Sequence, residues 1–247
     1  MDDTEREDAG PEVSVGPPVE HRGPWSEADY RALGEARGTG RVELVDGALL
    51  IGPGPTDEDE RTVARTRAAL EEALPDGLCV VGPVALRMGP DCVLVPDLLV
   101  MRAPDVMRAP DKGGTDADTD DTGDDAVGDT ERDAGDDTKS DTKSDTESDT
   151  ESEADPAPHP DAVVDAAEVL MVAEIVGSEH GAVDRVFKPL LYARARLPYL
   201  LLVDHQVPFA SASMVISGRY HEYARASGSD ELELEEPFRL RIRPPEK

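Results

Sequence analysis

The chain has 247 residues, 32% of them charged and only 4% aromatic, with a formal net charge of −30. That length accommodates one domain with a sizeable core, and the acidity argues against tight nonspecific binding of nucleic acid, which depends on lysine and arginine displacing counterions from phosphates. Cys79 and Cys92 lack metal-site or disulfide-framework spacing, the acidic start MDDTEREDAG is unlike a signal peptide, and no apolar run reaches the ~18 residues a membrane span needs, so a cytoplasmic setting is expected.

Residues 1–24 are polar, rich in Pro and Gly and without periodicity, and read as a disordered tail. PWSEADYRALGEA predicts a short helix capped by Ser26, with Asp29 at its third position and Tyr30, Leu33 and Ala36 at helical spacing; Trp25 reads as a packing anchor. RVELVDGALLIG predicts a hairpin, because Asp46-Gly47 suits a type I′ turn. TDEDERTVARTRAALEEAL predicts a second helix, capped by Thr56 or Asp57, with Val63, Ala64, Leu70 and Leu74 as its buried stripe. CVVGPVALRM and VLVPDLLVM then read as two strands separated by Gly89-Pro90-Asp91.

From about 103 to 160 the pattern collapses. Residues 111–155 alone hold 19 acidic residues against four basic ones. Such a tract cannot offset its ordering entropy and is expected to be a disordered insertion. It reads as a solvated linker, or as a polyanion mimic that competes with nucleic acid at the site. Beyond it, VLMVAEIV is a continuous apolar strand, GAVDRVFKPLLYARARL a helical segment and PYLLLVD a buried strand. GRYHEYARAS and PFRLRIR read as short strands at a sheet edge. The expected fold is α+β (mixed α/β), with one central mixed sheet flanked by helices. A single domain would span 25–102 plus 161–243.

Two carboxylates stand out. Asp97 interrupts VLVPDLLVM directly after Pro96, which cannot donate to a sheet ladder, and Glu174 is the lone acid of VLMVAEIV. They lie 77 positions apart, but 19 once the 58-residue tract is set aside, and a long loop between strands costs little extra entropy. On adjoining strands they could share one ion. An all-oxygen site suits Mg²⁺ or Mn²⁺ rather than zinc. Lys188, in the following helix, could orient a water or stabilise charge on a phosphate. Each residue also has a plainer reading. Asp97 could be an edge-strand acid, Glu174 the partner of a buried Arg, and Glu43 a solvent-facing hairpin residue. Lys188 could pair with Asp184 at i,i+4. His21, His159, His180, His205 and His221 show no ligand spacing. Arg61, Arg65 and Arg67, with Arg185, Lys188, Arg194 and Arg196, could form a basic strip.

Pro96-Asp97, then Glu174, then a lysine resembles the PD-(D/E)XK nuclease signature. More specifically, the chain resembles the bacterial Uma-two family of restriction-endonuclease-like proteins. The resemblance rests on WSEADY (25–30), RVELVDGALL (41–50), VPDLLV (95–100), VAEIV (172–176), DRVFK (184–188), LLYARARLPYLLLVD (190–204) and GRY (218–220). It implies a restriction-endonuclease-like core and a Mg²⁺-dependent endonuclease that acts on nucleic acid, DNA above all, and that forms homodimers. Asp97 and Glu174 would be metal ligands, with the carbonyl of Ile175 a third and Glu43 adding to the site. Val176 stands where the signature lysine is usual, so Lys188 would take that role. The chain departs from the family at Gly177-Ser178, at TDEDER in place of a histidine on the second helix, and at Pro189 beside Lys188, which disfavours helical geometry there. These departures support an alternative, a nuclease fold with weak or no catalysis used for binding or regulation. A remoter alternative makes the acidic tract itself the functional part of an interaction protein.

Overall fold

The computed structural model describes residues 21–34, 40–103, 162–177 and 181–245. All of the expected acidic insertion but Ala103 lies outside them, as do nearly all of the expected tail, Ala36, Ser178 and His180. Helix α1 (Glu27–Ala32) starts at Ser26, whose Oγ accepts from the Asp29 N–H at 3.2 Å while Asp29 accepts the Ser26 N–H at 3.0 Å. Helix α2 (Asp57–Ala73) repeats the reciprocal cap with Thr56 and Asp59. Each cap satisfies donors that an open helix end leaves bare. Trp25 packs against the cluster of Tyr30, Leu33, Val42, Leu44 and Val93, as an anchor should.

Strands β1 (Arg41–Val45) and β2 (Ala48–Gly52) form the expected hairpin. Asp46 and Gly47 both take positive φ, 47° and 78°, as a type I′ turn requires. The two predicted strands that follow are four. Pro83 and Pro96 each break a run, giving β3 (Leu78–Val81), β4 (Ala85–Gly89), β5 (Cys92–Leu94) and β6 (Leu98–Arg102). The halves of each run enter different sheets. One sheet has the order β2-β1-β5-β4-β7, where β7 is Val163–Asp165. The other is β11-β10-β9-β8-β6-β3, built from β8 (Val169–Val176), β9 (Tyr199–Asp204), β10 (Phe209–Ile216) and β11 (Arg219–Ser227). Among the described residues the fold is therefore α+β with two mixed sheets, not one. PFRLRIR supplies β13 (Leu240–Ile242), which pairs with β12 (Leu232–Leu234) in a separate ribbon instead of a sheet edge, while β11 does close an edge.

Strand β8 is buried along almost its whole length, which accounts for its unbroken apolar run. Met171, Ala173 and Ile175 pack with Leu70 of α2 on one face, and Val172 packs with Leu191, Tyr192 and Leu197 on the other. Each fully buried Leu or Val contributes about 1.5–3 kcal/mol. The inward face of α2 is Thr62, Thr66 and Leu70, flanked by Val63 and Leu74, whereas Ala64 is exposed. Threonine can face inward because the Thr62 hydroxyl donates to the Glu58 carbonyl at 2.8 Å.

Helix α3 (Lys188–Arg194) crosses between the parallel strands β8 and β9, preceded by a π-helical turn over Val183–Phe187. Pro189 would crowd the carbonyl four residues back in a regular helix. The wider turn, in which the Lys188 N–H reaches the Val183 carbonyl, relieves that. Lys188 therefore keeps helical angles (φ −59°, ψ −43°) despite the proline, contrary to expectation.

Gly82 fixes the backbone at Asp97. Its φ is +137°, and a Cβ there would stand 2.4 Å from the Asp97 carbonyl oxygen and 3.0 Å from Leu98 Cα. Gly82→Ala is expected to cost roughly 1–3 kcal/mol, read as a lowered urea midpoint. An unchanged midpoint would show that this close approach is not tight.

Candidate functional site

Pro96 ends β5, and the chain turns at Asp97 before β6 pairs with β8. The turn presents the Asp97 carboxylate to the neighbouring strand, where Oδ2 accepts the Ile175 N–H at 2.7 Å and Oδ1 accepts from Arg41 at 2.5 Å. Arg41 opens β1 and, by the strand's period of two, shares a face with Glu43. Glu43 Oε1 accepts the Val95 N–H at 2.8 Å, which ties β1 to the end of β5.

Lys188 gathers the acids. Its Nζ lies 3.3 Å from Glu43 Oε1, 3.3 Å from Glu174 Oε1 and 3.0 Å from Asp184 Oδ1. The Tyr192 hydroxyl donates a short hydrogen bond to Glu174 Oε1. Arg41 reaches Glu174 Oε2 more distantly, at 4.0 Å. Asp97, Glu174, Lys188 and Glu43 thus meet in one cluster, and all are at most 6% exposed. The solvent-facing reading of Glu43 is wrong, since it is 2% exposed. The i,i+4 pair of Lys188 with Asp184 exists, as one contact of several. The plainer reading of Glu174 as the partner of a buried Arg is met in part by Arg41, but neither Arg41 by number nor Tyr192 was singled out. The signals were there: Arg41 stands two residues before Glu43, and Asp184, Lys188 and Tyr192 are each four apart.

Four carboxylates (Glu43, Asp97, Glu174, Asp184) face two cationic side chains (Arg41, Lys188), a formal excess of two negative charges. Burial pushes the Glu174 carboxyl up to about 8; Lys188 opposes this, while Asp97 and Asp184 add to it. Burial works to discharge Lys188, but Glu174 and Glu43 outweigh it and hold the ammonium above its usual range. The same contest, won by Asp97, Glu174 and Glu43, keeps Arg41 charged.

The Glu174 shift has a pH signature. The folded chain holds a proton that the unfolded chain, with an ordinary value of 4.5, has released. The Glu174 contribution to stability therefore falls as pH rises from about 4.5 to about 8, then levels. Urea unfolding of wild type and Glu174→Gln across that range should show wild type losing stability relative to the variant as pH rises. A constant difference would rule the shift out.

Arg41, Asp59, Asp97, Ile175, Gly177 and Asp184 line a cavity of about 40 Å³, room for roughly three waters. Glu174 lies behind this wall, fully buried. Asp59 Oδ1 is 2.6 Å from the ring Nε2 of the buried His205, and Oδ1 would stand 2.6 Å from a Cβ placed on Gly177. Four residues of the suggested basic strip are engaged elsewhere. Lys188 is buried, Arg67 donates to the Gly82 carbonyl, Arg185 pairs with Asp204 and Arg194 with Asp46.

Among the described residues, no three His, Cys, Asp or Glu side chains form a ready-made metal cage, and no helix is long and apolar enough to cross a membrane. No family model and no curated protein matches the chain. Among solved structures, the chain is similar to a candidate nuclease belonging to DUF820 from Anabaena variabilis ATCC 29413, at 10% identity and a TM-score of 0.46, over 79% of this chain and 81% of that one.

Proposed function

We propose that this chain is a nuclease-fold hydrolase that cleaves phosphodiester bonds in nucleic acid, DNA foremost, with Mg²⁺ or Mn²⁺. The observation that carries this reading is the convergence of Asp97 and Glu174, from adjoining strands, on a single guanidinium, that of Arg41. Two carboxylates that already share one cationic group are placed to share another.

The donor set fits a hard divalent ion. It is all oxygen, with an excess charge of matching size. Asp184 Oδ1 is buried and, although within ion-pair reach of Lys188, is not aligned for a hydrogen bond. Such an acceptor is costly to leave unmet. Asp97 and Glu174 would hold the ion, with Glu43 and Asp184 beside them. When bound, the ion supplies Lewis acidity and a stronger nucleophile at neutral pH.

The protein's own groups do the rest. Asp97 reaches both the cavity and the buried cluster. Lys188, 1% exposed, does not reach an incoming substrate; it acts as a positioning residue that holds Glu43, Glu174 and Asp184 together. Asp59, Asp97 and Asp184 on the cavity wall repel a phosphate while Arg41 alone offsets them, so substrate and ion belong together.

One observation favours a second reading, a binding module with little or no catalysis. The Asp97 oxygens are taken by Arg41 and Ile175, and Glu174 is bonded by Tyr192 and Lys188. Plasmid nicking with Mg²⁺ or Mn²⁺, run beside a calorimetric Mn²⁺ titration, separates the two. Ion-dependent cleavage supports the hydrolase. Mn²⁺ binding without cleavage of DNA or RNA supports the module. Neither binding nor cleavage overturns the metal assignment.

A further inference from the structure

Asp97 has one oxygen to spare. Oδ2 is held by the Ile175 N–H at 2.7 Å, within the β6–β8 pairing, so Oδ1 is the oxygen open to other partners. Arg41 sits on it at 2.5 Å. The Arg41 side chain is 17% exposed, against 0% for Glu174, and it lines the cavity that Asp97 also lines. It therefore stands between the solvent-facing cavity and the buried acids. A cation shared by Asp97 and Glu174 needs the space and the oxygen that the guanidinium takes.

We propose that Arg41 is a resident cation that competes with the divalent ion for Asp97, so that the ion enters only as the guanidinium moves aside into the cavity. This rests on the metal reading above. The direction of movement follows from charge. With Glu174 ionised, the formal excess of two negative charges matches a divalent ion with Arg41 still nearby, so Arg41 needs to leave Asp97 Oδ1 but not the cluster. The cavity is the adjoining space, since Arg41 and Asp97 both line it while Asp97 Oδ2 faces β8. Arg41 thereby sets how tightly the ion is held. A charge-assisted hydrogen bond of this kind is among the stronger ones a carboxylate makes.

The test is calorimetric titration of Mn²⁺ into full-length wild type, Arg41→Gln, Arg41→Lys and Asp97→Asn. Arg41→Gln should bind Mn²⁺ about tenfold more tightly or better. Arg41→Lys, which keeps the charge but loses the forked donor, should fall between Arg41→Gln and wild type. Asp97→Asn should show no binding. Melting temperature gives a second readout. Losing Arg41 exposes the buried acids to one another and lowers the metal-free value, and saturating Mn²⁺ should raise it further in Arg41→Gln than in wild type. If Arg41→Gln fails to fold, Arg41→Lys carries the test alone. Wild type that binds, with Arg41 variants binding no tighter, overturns the competition and leaves the metal reading standing. No binding by any of the four overturns both.

Discussion

Lys188→Met is expected to cost about 3–5 kcal/mol, the largest stability loss of any single change at this site. Methionine nearly matches the volume and the unbranched stem, so packing changes little. What is lost is the ammonium that lies within 3.4 Å of Glu43, Glu174 and Asp184, in a place 1% exposed. Glu43 and Glu174, 2% and 0% exposed, are left buried without their cationic partner. A small domain has roughly 5–15 kcal/mol to lose, so the variant should be marginal. The pH dependence identifies the cause. Below about 8 Glu174 keeps its proton and the deficit is smaller; as pH rises through about 8, where Glu174 gives up that proton, the deficit grows. Guanidinium unfolding on either side of that value measures it. A deficit below about 1 kcal/mol, or one flat with pH, would mean that the ammonium does not hold the cluster together.

Asp97→Asn is expected to remove ion-dependent cleavage by roughly 10²–10³-fold or more while leaving the fold intact. The amide oxygen can still accept the Ile175 N–H, so the β6–β8 join survives, although the amide NH2 then faces Arg41 in place of its acceptor; the charge that would bind the ion is gone. Asp97→Ala is a poorer probe. It leaves both the Ile175 N–H and Arg41 without their acceptor, at about 1–3 kcal/mol for each buried group, and so mixes stability with chemistry. Rates on supercoiled plasmid with Mg²⁺, beside melting curves, separate the two effects. A folded Asn variant that nicks at the wild-type rate removes Asp97 from the mechanism.

Local chemistry carried much of this structure in plain view. Ser26 with Asp29, and Thr56 with Asp59, show helix starts because each pair satisfies its own donors. Asp46-Gly47 shows a hairpin because both residues tolerate positive φ. Pro96 shows that something breaks at Asp97. What it does not show is that the two halves of the run part into different sheets, since sheet membership depends on distant partners such as Leu44 opposite Val93. Strand β10 went unseen for a similar reason. FASASMVI is rich in small residues that carry little pattern, and they are buried only because β9 and β11 cover them. The stripe on α2 held for Val63, Leu70 and Leu74 but missed Thr62 and Thr66, which count as polar in the sequence; the Thr62 hydroxyl turns inward by donating to the Glu58 carbonyl. At the candidate site, lone acids in apolar strands were conspicuous. Arg41 was not, because an arginine at a strand end ordinarily faces water, and Tyr192 was not, because a tyrosine beside leucines on a helix carries no sign that its hydroxyl meets Glu174.

The break at Pro96 has a mechanical meaning. Asp97 lies where β5 of one sheet hands over to β6 of the other, and the cluster joins residues anchored in both: Arg41 and Glu43 on one side, Glu174 on the other. The acid pair therefore behaves as a clasp across a joint. A slight slide of one layer over its neighbour would change the bite of the carboxylates well before either layer came apart, and anything gripped there would stiffen the joint in return.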